Sequence, residues 1–273
     1  MASNILVAVD GTDAARSALE WASDLVEHKR ARGETVEAAM INICQPAETF
    51  GVDGFGLPAI AESIRRAADV LDHLDHDVPS AAEFDHLVKS GSVATGILDE
   101  ARARNADLIV VGTRHQGAVR QALMGSVSQR LAAERERPVA VVPAGSEPMR
   151  DLVVVGYDGS PGARSAVQWA LDNCEGQLRV IRAVPDDGDE IAAHESIHAL
   201  LPALGPTAAG RVIAEAIVGD PVDALLDPNH ETPQIVVGAR KESDGGTNIW
   251  GSTATQLLAD TTRPVVVVPP SHS

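Results

Sequence analysis

The sequence predicts two tandem α/β domains, each a five-stranded parallel sheet with helices on both faces. Three observations carry the prediction. Short valine- and isoleucine-rich runs alternate with stretches of helical period, the first strand and helix recur midway along the chain, and the last strands of the two halves match as well. Continuous apolar runs suit strands buried on both faces, and strand alternating with helix implies right-handed crossovers in a parallel sheet.

Composition fits that reading. Of 273 residues, 44% are apolar but only 3% aromatic, so Ala, Val, Ile and Leu must build the core. At roughly 150 residues per domain the length suggests two. A formal charge of −17 repels nucleic-acid backbones and anionic membranes, so neither is an expected partner. The two cysteines, Cys44 and Cys174, do not occupy corresponding positions. Structural burial is the expectation for both, with no disulfide and no metal site. Residues 1–4 lead directly into a strand without a signal peptide, and no apolar run reaches membrane-spanning length. The expected location is therefore cytoplasmic.

The repeat is explicit. Residues 5–12 (ILVAVDGT) resemble 152–160 (LVVVGYDGS), and the helical stretch 15–22 resembles 163–170; Asp10 and Asp158, like Trp21 and Trp169, lie 148 apart. At the far ends the offset is 126: Leu108 to Gly112 matches Gln234 to Gly238, Gly125-Ser126 matches Gly251-Ser252, and 137–143 matches 263–269. Agreement in both strand and helix argues for duplication. The second copy is 22 residues shorter in its middle, and the Gly/Pro-rich stretch from Gly51 to Pro58 marks the region between second strand and second helix as the main place of loss. The boundary falls in the short polar linker at 144–148, giving domains 1–146 and 147–273.

In the first copy, strands are expected near 5–9, 37–43, 83–88, 107–111 and 139–142, and helices near 13–29, 58–75, 93–104 and 126–133. Ile97, Leu98 and Ala101, with acids and arginines opposite, show the 3.6-residue period.

Ligands of an open parallel sheet bind beyond the carboxyl ends of its strands, where the strand order reverses. The fourth strand of the first copy runs into a loop containing Gly112, Thr113, Arg114, His115, Gly117 and Arg120, then Gly125, Ser126 and Val127, where a helix begins. Glycines let the backbone approach a ligand, and the free N–H groups of a helix N-terminus hold phosphate oxygens; the same Gly-Ser pair also serves as a plain helix cap. The second copy repeats the loop with Gly238, Ala239, Arg240, Lys241, Gly251, Ser252 and Thr253, but adds Glu242 and Asp244, whose charge opposes phosphate. The second site is accordingly the weaker expectation. The first strands end in Asp10 and Asp158, each able to accept hydrogen bonds from a sugar or to cap the next helix. Gly156 inside a buried strand marks a close approach, and Ala8 stands in its place in the first copy.

Over essentially the whole chain the sequence resembles the universal stress protein family, in its tandem two-domain form. The family's nucleotide pattern is Gly, two residues, Gly, nine residues, then Gly-Ser or Gly-Thr. Gly112, His115 and Gly125-Ser126 keep that spacing, as do Gly238, Lys241 and Gly251-Ser252, with the middle glycine replaced both times; Gly117 matches a further loop glycine, where the second copy has Ser243. The resemblance implies a flavodoxin-like, Rossmann-type sheet that binds ATP, alone or with Mg²⁺. Its adenosine would lie beside the first strand, next to Asp10 or Asp158, and its phosphates in the loop. It also implies pairing through the fifth strands, Val139 to Val142 and Val265 to Pro269, in a homodimer or an intramolecular pseudo-dimer.

Other chemistry is thinly represented. His73, His76 and His86 lie among Asp72, Asp75, Asp77 and Asp85, and His194 and His198 repeat a four-residue spacing, but solvated helix faces account for such pairs. No nucleophile elbow, Walker lysine or paired-glutamate signature is present. Three functions follow in order: an ATP-binding stress-response protein acting through nucleotide occupancy, an interaction module of the same fold without nucleotide, and a slow ATP-hydrolysing enzyme.

Overall fold

The computed structural model describes residues 3–45, 56–113, 127, 130–131, 136–146, 152–206, 208–226, 234–239 and 252–271. The chain forms two compact units, the first ending at Val141–Gly145 and the second taking in residues 136–140 and everything described from Ser146 on.

In the first unit β1 (Ser3–Ala8), α1 (Asp13–Ala31), β2 (Val36–Cys44), α2 (Gly56–Asp77), β3 (Asp85–Ser90), α3 (Val93–Ala103), β4 (Leu108–Thr113) and β5 (Val139–Pro143) alternate as the sequence predicts. Their strand order is β3-β2-β1-β4-β5, so the chain reverses direction across the sheet between β1 and β4. The pairs that flank this point are parallel and in register, Ile5 facing Ala38 on one side and Leu108 on the other. Val127, Arg130 and Leu131 are helical, where the fourth helix is expected.

The second unit repeats the plan with β6 (Leu152–Gly156), α4 (Pro161–Asn173), β7 (Gln177–Val184), α5 (Glu190–His198), β8 (Val212–Val218), α6 (Pro221–Leu226), β9 (Gln234–Gly238), α7 (Ser252–Asp260) and β10 (Val265–Val268). Its order is β8-β7-β6-β9-β10, again parallel, with the switch between β6 and β9.

Both cores are aliphatic. Leu6, Val7, Ile109 and Val110 in the first unit, and Val153, Val155, Val236 and Val266 in the second, are almost wholly removed from water. Trp21 and Trp169, the repeated tryptophans, are buried on the first helix of each unit. Cys44 and Cys174 are free and buried. Among the described residues no helix is long and apolar enough to cross a membrane.

The structure divides the shortening of the second copy between its first two crossovers, the larger share falling between the second and third strands. Sequence matches at the two ends cannot say which middle residues are missing, and the Gly/Pro-rich stretch drew attention to a loop. From strand start to strand start, the β1-to-β2 interval of 33 residues becomes 25 between β6 and β7, the β2-to-β3 interval of 49 becomes 35 between β7 and β8, and the β3-to-β4 interval of 23 becomes 22 between β8 and β9; α1 and α2, with 19 and 22 residues, correspond to α4 and α5 with 13 and 9. A helix can lose whole turns without disturbing the strand beneath it, but a strand cannot shift by one residue without reversing its faces.

Candidate functional site

At the carboxyl end of the first strand, both units build the same corner. In the first, the Asp10 Oδ1 accepts the Thr12 amide at 3.1 Å and the Thr12 hydroxyl at 2.6 Å, and Thr12 in turn accepts the Ala15 amide at 3.3 Å as the cap of α1. In the second, Asp158 Oδ1 accepts the Ser160 amide at 2.9 Å, and Ser160 Oγ caps α4 through the Ala163 amide at 3.1 Å. The residue between acid and cap is Gly11 or Gly159, at φ +76° and +83°, a left-handed turn that favours glycine. The cap itself is Thr12 or Ser160; each acid instead spends one carboxylate oxygen holding that residue in the turn. Asp158 stays exposed, and its Oδ2 has no protein partner among the described residues.

The second unit holds a cavity of about 290 Å³ at its switch point. Gly156, Asp158 and Ser160 supply one wall, from the end of β6 and its corner. Ile181 and Ala183, alternate residues of β7, join Val237 and Leu225 as an apolar floor. Gly238 closes the side at β9, and Ser252 and Thr253, the first residues of α7, bring hydroxyls and a helix N-terminus to the opposite rim. An apolar slot, an exposed carboxylate and the hydroxyls at the start of α7 together accommodate a ligand with a flat apolar part, hydroxyls and an anionic end.

Gly156 meets the close approach expected of it: a Cβ there would lie 3.1 Å from Val237 Cγ1 and 3.2 Å from Leu225 Cδ1. Gly112 and Gly238 have a second reason to be glycine. A Cβ on Gly112 would fall 2.3 Å from the Ala14 carbonyl oxygen, and one on Gly238 2.2 Å from the Gly162 carbonyl carbon. These residues let the fourth strand of each unit touch the backbone of its first helix. That contact brings the first turn of the helix up to the strand end, where the cavity of the second unit opens.

The structure thus gathers Gly156, Asp158, Gly238, Ser252 and Thr253 around one cavity. Ala239 lies just beyond, buried, its amide donating to the Val268 carbonyl at 2.7 Å. In the first unit Ala8 ends β1, Gly112 and Thr113 end β4, and Val127 is helical and half-buried. Arg114, His115, Gly117, Arg120, Gly125, Ser126, Arg240, Lys241, Glu242, Ser243, Asp244 and Gly251 lie outside the described residues. Sequence reasoning missed Tyr157, Ser160, Ile181, Ala183, Pro221 and Leu225. Only Ser160, following the acid by two residues, carried a usable signal.

A cavity of about 350 Å³ in the first unit sits elsewhere, between the start of α1 and α2, and includes Asp13, Arg16, Asp69, His73 and Asp77. Arg16 and Asp77 form an ion pair there. His86 lies 3.4 Å from Asp75 and 3.8 Å from Asp72, but no group of three or more such side chains among the described residues has the arrangement of a metal site.

Comparison with known proteins agrees with the duplicated fold. Residues 1–143 and 149–269 each match the sequence model of the Universal stress protein family. A universal stress protein of Mycobacterium tuberculosis is 30% identical over 188 residues, covering 62% of this chain and 57% of that protein. The match thus spans less than two thirds of that relative's own length. A universal stress protein of Thermus aquaticus is 30% identical over 145 residues, 52% of this chain and 99% of its own. Among solved structures, a universal stress protein from Archaeoglobus fulgidus superimposes with a TM-score of 0.76 at 22% identity, covering 98% of both chains, a likeness of fold.

Proposed function

The chain belongs to the universal stress protein family, and on that premise we propose that it binds ATP and acts in a stress response through nucleotide occupancy rather than turnover. One observation carries the reading: the cavity of about 290 Å³ at the β6/β9 switch point of the second unit. The base enters the apolar slot between Ile181, Leu225 and Val237. Asp158 accepts from the ribose hydroxyls through the oxygen its turn leaves over, and the phosphates lie toward the N-terminus of α7, with Mg²⁺ as counter-ion. The sequence supports an equivalent site in the first unit, where Asp10 repeats the Asp158 corner and Gly125-Ser126 repeats Gly251-Ser252.

Calorimetric titration with ATP and Mg²⁺ tests the reading. Leu225→Trp fills the slot and is expected to remove one binding equivalent, while Asp158→Ala weakens the same equivalent about tenfold, the worth of one good hydrogen bond to a charged group. No heat from the parent protein overturns the proposal. It would leave the interaction module, which His115 and Lys241 favour by standing where the family pattern has glycine.

A further inference from the structure

The second unit ends on one side in β8, which pairs with β7 alone among the described strands. The Leu178 amide donates to the Arg211 carbonyl at 2.8 Å and the Gly219 amide to the Val184 carbonyl at 3.0 Å. In a parallel ladder the odd-numbered residues of β8 therefore bond to β7. The N–H and C=O groups of Val212, Ala214, Ala216 and Val218 point out of the sheet.

Natural edges are blunted by lysine, proline or other charge. The edge strand of the first unit, β3, obeys this with Asp85, His86 and Lys89 in six residues. By contrast β8 reads Val-Ile-Ala-Glu-Ala-Ile-Val, the same in both directions about Glu215. Six of its residues are half-buried and Val218 is 40% exposed. Helix α5, which packs on β8, carries Ile191 at 74% exposure. Two of the three large apolar side chains that stand exposed among the described residues are thus on this strand and its helix.

We propose that β8 pairs antiparallel with the same strand of a second copy of this chain, across a two-fold axis at Glu215. Only a partner that reads identically backwards meets every position with its own kind: valine against valine, isoleucine against isoleucine, alanine against alanine. The outward-pointing residues are all even-numbered, and a two-fold centred on 215 sets even against even, so the outward N–H and C=O groups of the two strands face one another. Cross-strand pairs of β-branched residues stabilise such ladders, and an interface of this kind is self-complementary by construction. Glu215 meets its own symmetry equivalent, a repulsion that Arg179 moderates: its Nε lies 3.6 Å from Glu215 Oε1, bringing one positive charge per copy.

Sedimentation velocity over a concentration series of the full chain tests this, the expected mass rising from 28.5 kDa toward twice that value. Ala216→Pro removes an outward N–H and leaves the ladder to β7 intact, so it should raise the dimer dissociation constant at least tenfold while the thermal melt of the monomer is retained. Glu215→Gln should tighten the dimer. Register is read by oxidative cross-linking. Glu215→Cys sits in a non-hydrogen-bonded pair with Cα atoms about 4.5 Å apart, within disulfide range, and should give a covalent dimer. Ile213→Cys should not, because its symmetry equivalent lies four residues away along the strand, about 13 Å. A mass that stays monomeric across the series overturns the proposal, including the case in which the edge serves some other protein's strand. So does a dimer indifferent to Ala216→Pro, or cross-linking at 213 as ready as at 215. None of these positions lines the cavity, so the nucleotide reading stands or falls separately.

Discussion

The two units keep the same sheet and differ in what covers it. Strands of the first unit run 6, 9, 6 and 6 residues from β1 to β4, and those of the second 5, 8, 7 and 5 from β6 to β9. Over the same stretch, the second helix falls from 22 residues to 9. Corners and switch points survive this trimming because they depend on strand ends and on the first turn of the following helix. The far ends of the helices do not survive unchanged. Helix α1 finishes with His28, Lys29 and Arg30 in its last turn, a cationic end that suits the helix dipole, whereas α4 has no basic residue there. The second unit brings in Arg211, the residue just before β8, which donates to the carbonyls of Leu171 at 2.9 Å, Gly176 at 3.1 Å and Cys174. A shortened helix has replaced a local cap with a tertiary one.

If strand ends are the shared element, the largest effect should come from damage to them in either unit. Gly112→Ala and Gly238→Ala each drive a Cβ into backbone that cannot move aside as a side chain can. Each is expected to cost about 3 kcal/mol or more, read from urea unfolding, with hydrogen exchange showing which unit loosens. The units should separate at the facing residue: Gly162 would put its Cβ 2.2 Å from the Ala239 carbonyl oxygen, yet its counterpart Ala14 already carries one. Gly162→Ala should therefore destabilise severely, whereas Ala14→Gly should lose no more than the ordinary cost of a glycine in a helix, about 1 kcal/mol. A Gly112→Ala protein as stable as the parent would remove the packing role assigned here to both glycines.

Removal of the borrowed cap should rank next. Arg211→Ala leaves three carbonyls without their donor and is expected to cost about 2–3 kcal/mol, the range for hydrogen bonds from a charged group. Exchange should quicken at the end of α4 and leave α1 untouched. Arg211→Lys should recover only part of the loss, because an ammonium cannot reach three carbonyls with the fixed fork of a guanidinium. Equal quickening in both helices would mean that Arg211 stabilises the chain in some other way.

How much of this was legible in the sequence follows from how local each signal is. Asp158 and Gly156 could be read because a strand end, its turn and its capped helix lie within a few consecutive residues and occur twice. Ile181, Ala183 and Leu225 could not, since an apolar residue lining a cavity has the same type and spacing as one in the core. Arg211 was equally silent: its three acceptors are 35 to 40 residues earlier in the chain. The deletion was placed in the crossover that loses most, but its second part, in the first crossover, was not, as repeat matches fix the ends of a deletion and not its place. The fold was legible because alternation of strand and helix is a local pattern that the buried sheet enforces at every repeat.

The smallest expected effect concerns an ion cluster found on the first unit's edge, where the second unit has β8 and its apolar residues. Glu100 on α3 is buried, pairs with Lys89 of β3, and accepts from Arg104 Nε at 2.8 Å; Arg104 also reaches Asp85 at 2.8 Å. The Lys89 ammonium holds the Glu100 carboxyl below its ordinary value of 4.5; burial opposes this, and Arg104 adds to the lowering. A carboxylate whose native pKa is depressed binds fewer protons folded than unfolded between the two values, so stability there rises with pH. Its contribution is complete above about pH 4.5 and disappears as the pH falls through the lower native value. Glu100→Gln keeps the shape and removes the charge. It should cost about 1–2 kcal/mol at pH 7 and progressively less as the pH falls below 4.5, flattening the acid limb of the first unit's stability curve. The test is urea unfolding of parent and variant from pH 2 to 7, with exchange at β3 and α3 as the local readout. A difference between parent and variant that stays constant across that range would mean the cluster acts through packing alone, and that charge is not what distinguishes the β3 edge from the β8 edge.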